Sequence, residues 1–138
     1  MGNKISARFI IEIAGKPVEN VEKALNLVLD KIKTDKNISL KEDMIEPPEY
    51  DKKTSLYSGF MEVMIKFKTT NDILNFIMDY TPTSVEIEDP EKISFTSNEL
   101  TGVLNDFSIK ILDSQNKIRH LNAYVHMLNN KLKEKETK

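Results

Sequence analysis

The sequence contains no cysteine among its 138 residues, and this absence excludes several kinds of chemistry at once. Without cysteine there is no disulfide framework, no thiolate ligand for zinc or an iron–sulfur cluster, and no thiol nucleophile. The four glycines are too far apart to form a loop that cradles phosphate. No apolar run approaches the roughly 20 residues that span a bilayer. We therefore expect no integral membrane association and a reducing, cytoplasmic location.

Residues suited to catalysis are also scarce. The only two histidines, His120 and His126, are six residues apart on a predicted helix, so they point about 120° apart and cannot chelate one metal ion. Four carboxylates crowd together near a predicted strand end: Glu86, Glu88, Asp89 and Glu91. We expect water to solvate them, whereas general acid–base catalysis needs a shielded pair. The sequence predicts no enzyme, no metal site and no cofactor.

The strongest pattern that is present is an apolar seam in the last third of the chain. Its steps alternate between four and three residues, so its average period is about 3.5 residues, the repeat of a coiled coil. The seam contains Leu100, Leu104, Phe107, Ile111, Ser114, Ile118, Leu121, Val125, Leu128 and Leu132. β-Branched residues at one set of positions and mostly leucine at the other favour a parallel two-stranded coil. We predict that these residues join two copies of the chain in a parallel homodimer.

The first part of the chain shows the periodicities of strands and a helix. Apolar and polar residues alternate over residues 5–13 and again over 56–68, which predicts two strands that are each buried on one face. Between them, apolar residues recur at helical spacing and predict a helix over residues 18–34.

A further strand is predicted over residues 38–45, before two prolines. Pro47 and Pro48 have no backbone N–H to donate to a sheet, so we expect them to end this strand. The polar segment that contains them, EPPEYDKKT, is predicted to be a hairpin loop.

The middle of the chain predicts a second helix, a last strand and the start of the long helix. The helix covers residues 73–80, with Leu74 and Ile77 pointing inward. Val85 and Ile87 alternate with glutamates in the strand, and the long helix is expected to begin near Ser97.

These elements follow the order β-α-β-β-α-β and then one long helix. That order predicts an α+β protein with a ferredoxin-like antiparallel sheet, both helices lying on one face. We assign residues 1–90 to this ferredoxin-like domain and residues 91–138 to a linker and the C-terminal coiled-coil helix.

Two stretches carry a resemblance to known proteins. ISARFIIEIAGKPVENVEKAL and MDYTPTSVEIEDPEKISFTSNELTGVLNDF resemble segments of a family of small uncharacterised archaeal proteins. The resemblance implies a βαββαβ head followed by a coiled-coil helix. It carries no activity over to any residue of this chain.

The predicted strands place an apolar patch on the sheet face that the helices leave open. The patch consists of Ile10, Phe60 and Met64, and we predict that it binds a partner protein, because exposed apolar patches mark interfaces.

The segment SGFMEV, residues 58–63, is similar to the ribonucleoprotein motif of RNA-recognition modules. Here, however, Ser58 replaces the basic residue and Glu62 replaces an aromatic one, which disfavours RNA on this face.

Charge is distributed unevenly along the chain, and the basic C-terminal part allows more than one function. Residues 110–138 carry seven Lys or Arg against three Asp or Glu, a net charge of +4, within a chain of net charge −2. We predict a non-enzymatic, dimeric interaction or assembly protein. The alternatives are a small-molecule-sensing regulatory domain on a ferredoxin-like fold, or an RNA- or ribosome-associated factor that uses the lysine-rich helix. The first residues, MGNKIS, also fit the N-myristoylation pattern, with Gly2 as the acceptor.

Overall fold

The computed structural model describes residues 4–136, so Gly2 lies outside the described residues. The chain divides into two compact units, one ending at Ser94 and the other beginning at Phe95. The first unit is α+β and the second is one long helix. In chain order the elements are β1 (Ile5–Gly15), α1 (Val18–Thr34), β2 (Ile38–Asp51), β3 (Leu56–Phe67), α2 (Thr70–Tyr80), β4 (Ser84–Asp89) and α3 (Ser97–Glu136).

The four strands form one antiparallel sheet in the order β2-β3-β1-β4. β1 pairs with β3 over its whole length, from Ile5 opposite Phe67 to Gly15 opposite Tyr57. Because side chains alternate across a strand, the apolar residues of both central strands point to the same face. The core on this face consists of Ile5, Ala7, Phe9, Ile11, Val21, Leu25, Leu29, Ile32, Met61, Val63, Ile65, Phe67, Ile73, Phe76 and Tyr80.

The predicted faces of the two central strands are confirmed, and the inward face of α2 is confirmed only in part. Ile77 packs against the core as predicted, although it is only half-buried. Leu74 is also half-buried, and the buried residues of the helix are Ile73, Phe76 and Tyr80. The Phe76 ring lies 4.5 Å from the ring of Phe9 and 4.6 Å from that of Tyr80, measured between centroids. These ring contacts determine which side of α2 faces the sheet, because aromatic side chains bury the largest area.

The prediction that Pro47 and Pro48 end β2 is wrong. β2 continues to Asp51, and its register with β3 shifts between Glu46 and Glu49, where the prolines lie. β2 is an edge strand, and a bulge in an edge strand accommodates residues that cannot donate a ladder hydrogen bond. The hairpin turn comes later, where the Ser55 N–H donates to the Asp51 carbonyl at 2.8 Å.

The predicted long helix is confirmed and begins at Ser97. Its 40 residues correspond to a length of about 60 Å. Thr96 precedes it and accepts a hydrogen bond from the Glu99 N–H at 3.1 Å, while the Glu99 carboxylate accepts one from the Thr96 N–H at 3.4 Å. This reciprocal pair is a capping box and defines where the helix starts. Within residues 4–136, no helix is long and apolar enough to cross a membrane.

Candidate interaction surfaces

The sheet face opposite the core, called here the open face, carries the side chains between the buried ones on β1 and β3. The predicted patch residues Ile10, Phe60 and Met64 all lie on it. Phe60 is 39 % exposed, and Ile10 and Met64 are half-buried. Alternation along the strands places them there, since each sits between two buried residues.

Part of the open face forms a depression, called here the apolar groove, with a volume of about 310 Å³. Ile10, Met44 and Phe60 supply its apolar lining, and Glu46 and Glu62 supply carboxylates. Met44 belongs to the edge strand β2 and is half exposed. The structure thus brings Ile10 and Phe60 together with Met44, a residue that sequence analysis missed. Its only sequence signal is its place between Glu42 and Glu46 in the alternation of β2.

Met64 lies apart from the groove, beside an arginine that is surrounded by carboxylates. Nε of Arg8 donates to Glu88 at 2.6 Å, Nη2 donates to Glu42 at 3.0 Å, and Nη1 is 3.9 Å from Glu62. The Met64 sulfur accepts a weak contact from Nη2 at 3.7 Å. The hydrogen bonds that Arg8 donates to Glu88 and Glu42 raise the pKa of its guanidinium above the ordinary value. The guanidinium therefore stays charged at every accessible pH.

This arginine cluster gives the open face a negative centre. One positive and three negative side chains from all four strands leave a net charge of −2 within it. Glu12, which lies opposite Phe60 in the register, adds a further carboxylate. A negative surface of this kind repels phosphate and attracts a cationic partner.

The seam residues of α3 all lie on the surface of the described chain, because no residue of this helix is buried. Eight large apolar residues of the seam are between 38 and 63 % exposed, the least being Ile111 and the most Leu121. Phe107 and Ser114 are half-buried. The role predicted for these residues in dimerisation stays a prediction, but their exposure leaves a long apolar stripe in contact with water.

A second depression lies at the sheet end where β1 begins and β3 ends, and its volume is about 340 Å³. We call it the lysine cleft, because its charged lining residues are Lys4, Lys36, Lys41, Lys66 and Lys68. No pattern in the sequence predicted this cleft. The five lysines are spread over 65 positions of the chain, and only the strand order and register bring them together.

The described part of the chain has neither a metal-binding cluster nor a buried polar side chain. Residues 4–136 contain no group of three or more His, Asp or Glu side chains placed to hold a metal ion. His120 and His126 are both exposed on α3. The same residues include no buried polar or charged side chain.

Comparison with known proteins gives one match. The model of the MJ0538 family matches residues 6–136, nearly the whole chain. No curated protein and no solved structure matches the chain.

Proposed function

The chain belongs to the MJ0538 family, and we propose that it is a non-enzymatic, homodimeric interaction protein. In this proposal the α3 helices of two copies pair along the seam, and the α+β units present their open faces to a partner protein. The observation that carries the proposal is the exposed apolar stripe of α3. A helix that exposes eight large apolar residues at a period of 3.5 is typical of one strand of a coiled coil.

The energetics of burial support pairing. Covering one Leu or Ile side chain completely contributes about 1.5–3 kcal/mol, so covering eight on each helix strongly favours association. The alternation of residue types supports a parallel pair, because Ile111, Ile118 and Val125 alternate with leucines at most of the other seam positions.

We propose that the first unit, which ends at Ser94, has a ferredoxin-like fold. Its element order β-α-β-β-α-β and the antiparallel pairing of β1 with both β3 and β4 support this assignment. A fold of this kind serves many functions, so the fold alone does not identify the activity. The proposed function therefore rests on the surfaces.

The apolar groove supports a partner with complementary chemistry. Its apolar lining suits one or two apolar side chains, and its carboxylates suit flanking Lys or Arg residues. A protein segment that combines both is the occupant we propose. The lack of cysteine supports a cytoplasmic location, and the archaeal source implied by the sequence resemblance stays a prediction.

Sedimentation analysis of two matched aspartate variants tests the dimer. Ile118→Asp introduces a charge into the seam, where an unpaired buried carboxylate is costly, so we expect a monomer. Ile109 is equally exposed but lies on the opposite side of α3 from the seam, and Ile109→Asp should keep the mass of a dimer. If Ile118→Asp also sediments as a dimer, the seam does not join the chains.

A further inference from the structure

The lysine cleft concentrates positive charge with no compensating carboxylate. Lys4, Lys36, Lys41, Lys66 and Lys68 line it, together with Asn37 and Ser39, and no Asp or Glu does. Within residues 4–136, none of these five lysines takes part in a salt bridge. Five like charges around one small depression repel one another, and an anion would relieve that repulsion.

Three features of the backbone bring these lysines together: the register of the strands, a bulge in β2 and the turn before β2. Ile5, Phe67 and Ile38 are in register across three strands, so Lys4, Lys66 and Lys68 come together at one sheet end. Lys41 falls at the register shift between Leu40 and Glu42, and such a bulge re-aims side chains.

The turn before β2 supplies Lys36, and Asp35, the acidic residue next to it in the sequence, makes a hydrogen bond within that turn. The Asp35 carboxylate accepts a hydrogen bond from the Asn37 N–H at 2.9 Å, and Asp35 does not line the cleft. The cleft is therefore built from elements that the sheet and its turns hold in place, rather than from a single flexible segment.

We propose that the lysine cleft binds the phosphate chain of a small oligophosphate, such as the di- or triphosphate of a nucleotide. Five lysines match the several negative charges of such a chain, and lysine ammonium groups bind phosphate well. The volume of about 340 Å³ is within the usual range for small-molecule sites. Asn37 and Ser39 add side chains that can donate hydrogen bonds to phosphate oxygens.

The lining disfavours single-stranded nucleic acid as the occupant. Proteins that hold single strands stack bases on exposed aromatic rings beside their basic groups. The one aromatic residue of the cleft, Phe67, is completely buried. The negative centre around Arg8 would also repel a strand that continued across the open face. A short, highly charged ligand avoids both problems.

Calorimetric titration with inorganic tripolyphosphate tests the proposal on the full chain. The cleft variant is Lys36→Gln combined with Lys68→Gln. The control is Lys52→Gln combined with Lys53→Gln, which removes the same charge from the turn at the other end of the β2–β3 hairpin. We expect saturable binding to the wild type and the control, and affinity lower by about tenfold or more in the cleft variant, because two charged contacts to phosphate are lost.

Two further measurements distinguish the cleft from other basic surfaces and ligands. Amide chemical shifts should change at residues 36–41 and 66–68, and ATP should compete with tripolyphosphate far better than AMP does. The proposal is wrong if tripolyphosphate does not bind, if the control loses as much affinity as the cleft variant, or if the shifts change on α3 instead. It is also wrong if a short single-stranded RNA displaces tripolyphosphate more effectively than ATP does. None of these outcomes depends on whether the chain dimerises.

Discussion

Gly59 is a residue of β3 whose missing side chain lets Leu25 of α1 pack closely against the strand. A Cβ atom there would lie 2.6 Å from Cδ1 of Leu25 and 3.3 Å from Cγ of Pro48. Leu25 is 1 % exposed and the proline ring is rigid, so neither neighbour can yield without disturbing the packed core. The glycine is therefore required by packing, in the strand that carries the centre of the core.

We expect Gly59→Ala to lower the free energy of unfolding by about 1–3 kcal/mol, the usual cost of overpacking. Urea denaturation measures the change. Gly102→Ala is the matched control, because beyond the neighbouring backbone of α3 itself no heavy atom of the described residues lies within 4 Å of the added methyl group. That control should be neutral or stabilising by up to about 1 kcal/mol, since alanine favours the helix. A Gly59→Ala protein as stable as the wild type would contradict the close packing.

Ionisation of Tyr80 makes the free energy of unfolding depend on pH in the alkaline range. Burial raises the pKa of its phenol above the ordinary value, and the charges of Asp35 and Asp79 raise it further. In the unfolded chain the phenol ionises near a pH of about 10. Above that pH the unfolded state has lost the proton while the folded state still holds it, so unfolding releases a proton and rising pH favours unfolding.

Tyr80→Phe should remove this contribution. Between a pH of about 9 and about 11, we expect urea denaturation to show a smaller loss of stability in Tyr80→Phe than in the wild type. Tyr124→Phe, which changes an exposed tyrosine on α3, should lose as much as the wild type. Equal losses in all three proteins would mean that the Tyr80 phenol ionises alike in the folded and unfolded states.

At the scale of elements, the sequence predicted what depends on local periodicity and missed what depends on strand order. Alternation was sufficient to place Ile10 and Phe60 on the open face. Pro47 and Pro48 misled the prediction, because nothing local shows that β2 is an edge strand that can bulge. Met44 was missed for the same reason, since its place in the groove depends on the register of β2 with β3.

The lysine cleft could not be predicted from the sequence at all. The residues flanking Lys36 and Lys68 give no local signal, and the lysines meet only once three strands are in register. The N-terminal cap of α3, in contrast, could have been predicted from the sequence. Thr96 and Glu99 have the spacing of a capping box, and this signal would have identified Thr96 as the capping residue before the predicted start at Ser97.

The orientation of two paired α3 helices can be tested with one cysteine, because the chain has none of its own. In a parallel, in-register pair, Leu132 of each helix faces its counterpart, within the roughly 4–7 Å between Cα atoms that a disulfide requires. An antiparallel pair aligned over the seam separates these positions by tens of ångströms, on the order of 1.5 Å per residue along the helix.

We therefore expect Leu132→Cys to form a covalent dimer under mild oxidation, as measured by non-reducing electrophoresis. Ile109→Cys is the control, because its side chain points away from the seam and should not link the two chains of one dimer. A Leu132→Cys protein that sediments as a dimer yet fails to cross-link would exclude the parallel arrangement.

At the scale of the whole molecule, the surfaces differ in charge. The open face holds a negative cluster and an apolar groove, the lysine cleft is positive, and residues 110–138 carry a net charge of +4. If the chain dimerises as proposed, each assembly presents two grooves and two clefts. Two linked sites raise the effective concentration for a partner that itself offers two segments, so dimerisation would strengthen binding without any new contact.

The groove's part in that binding is tested by removing its exposed ring. Phe60 is 39 % exposed, so Phe60→Ala should cost little stability and leave the wild-type mass in sedimentation, while deleting the aromatic side of the groove. Leu27→Ala is the control, because Leu27 is 69 % exposed on α1 and distant in the sequence from every groove residue.

Quantitative cross-linking in cells of the source organism measures the binding. The wild type and Leu27→Ala should recover the same partners, with Lys or Arg next to the cross-linked apolar residues. We expect Phe60→Ala to lose them, because the apolar contact at the centre of an interface carries most of its binding energy. Partners retained by Phe60→Ala would show that binding does not use the groove, and partners lost by both variants would show that the effect is not specific to it.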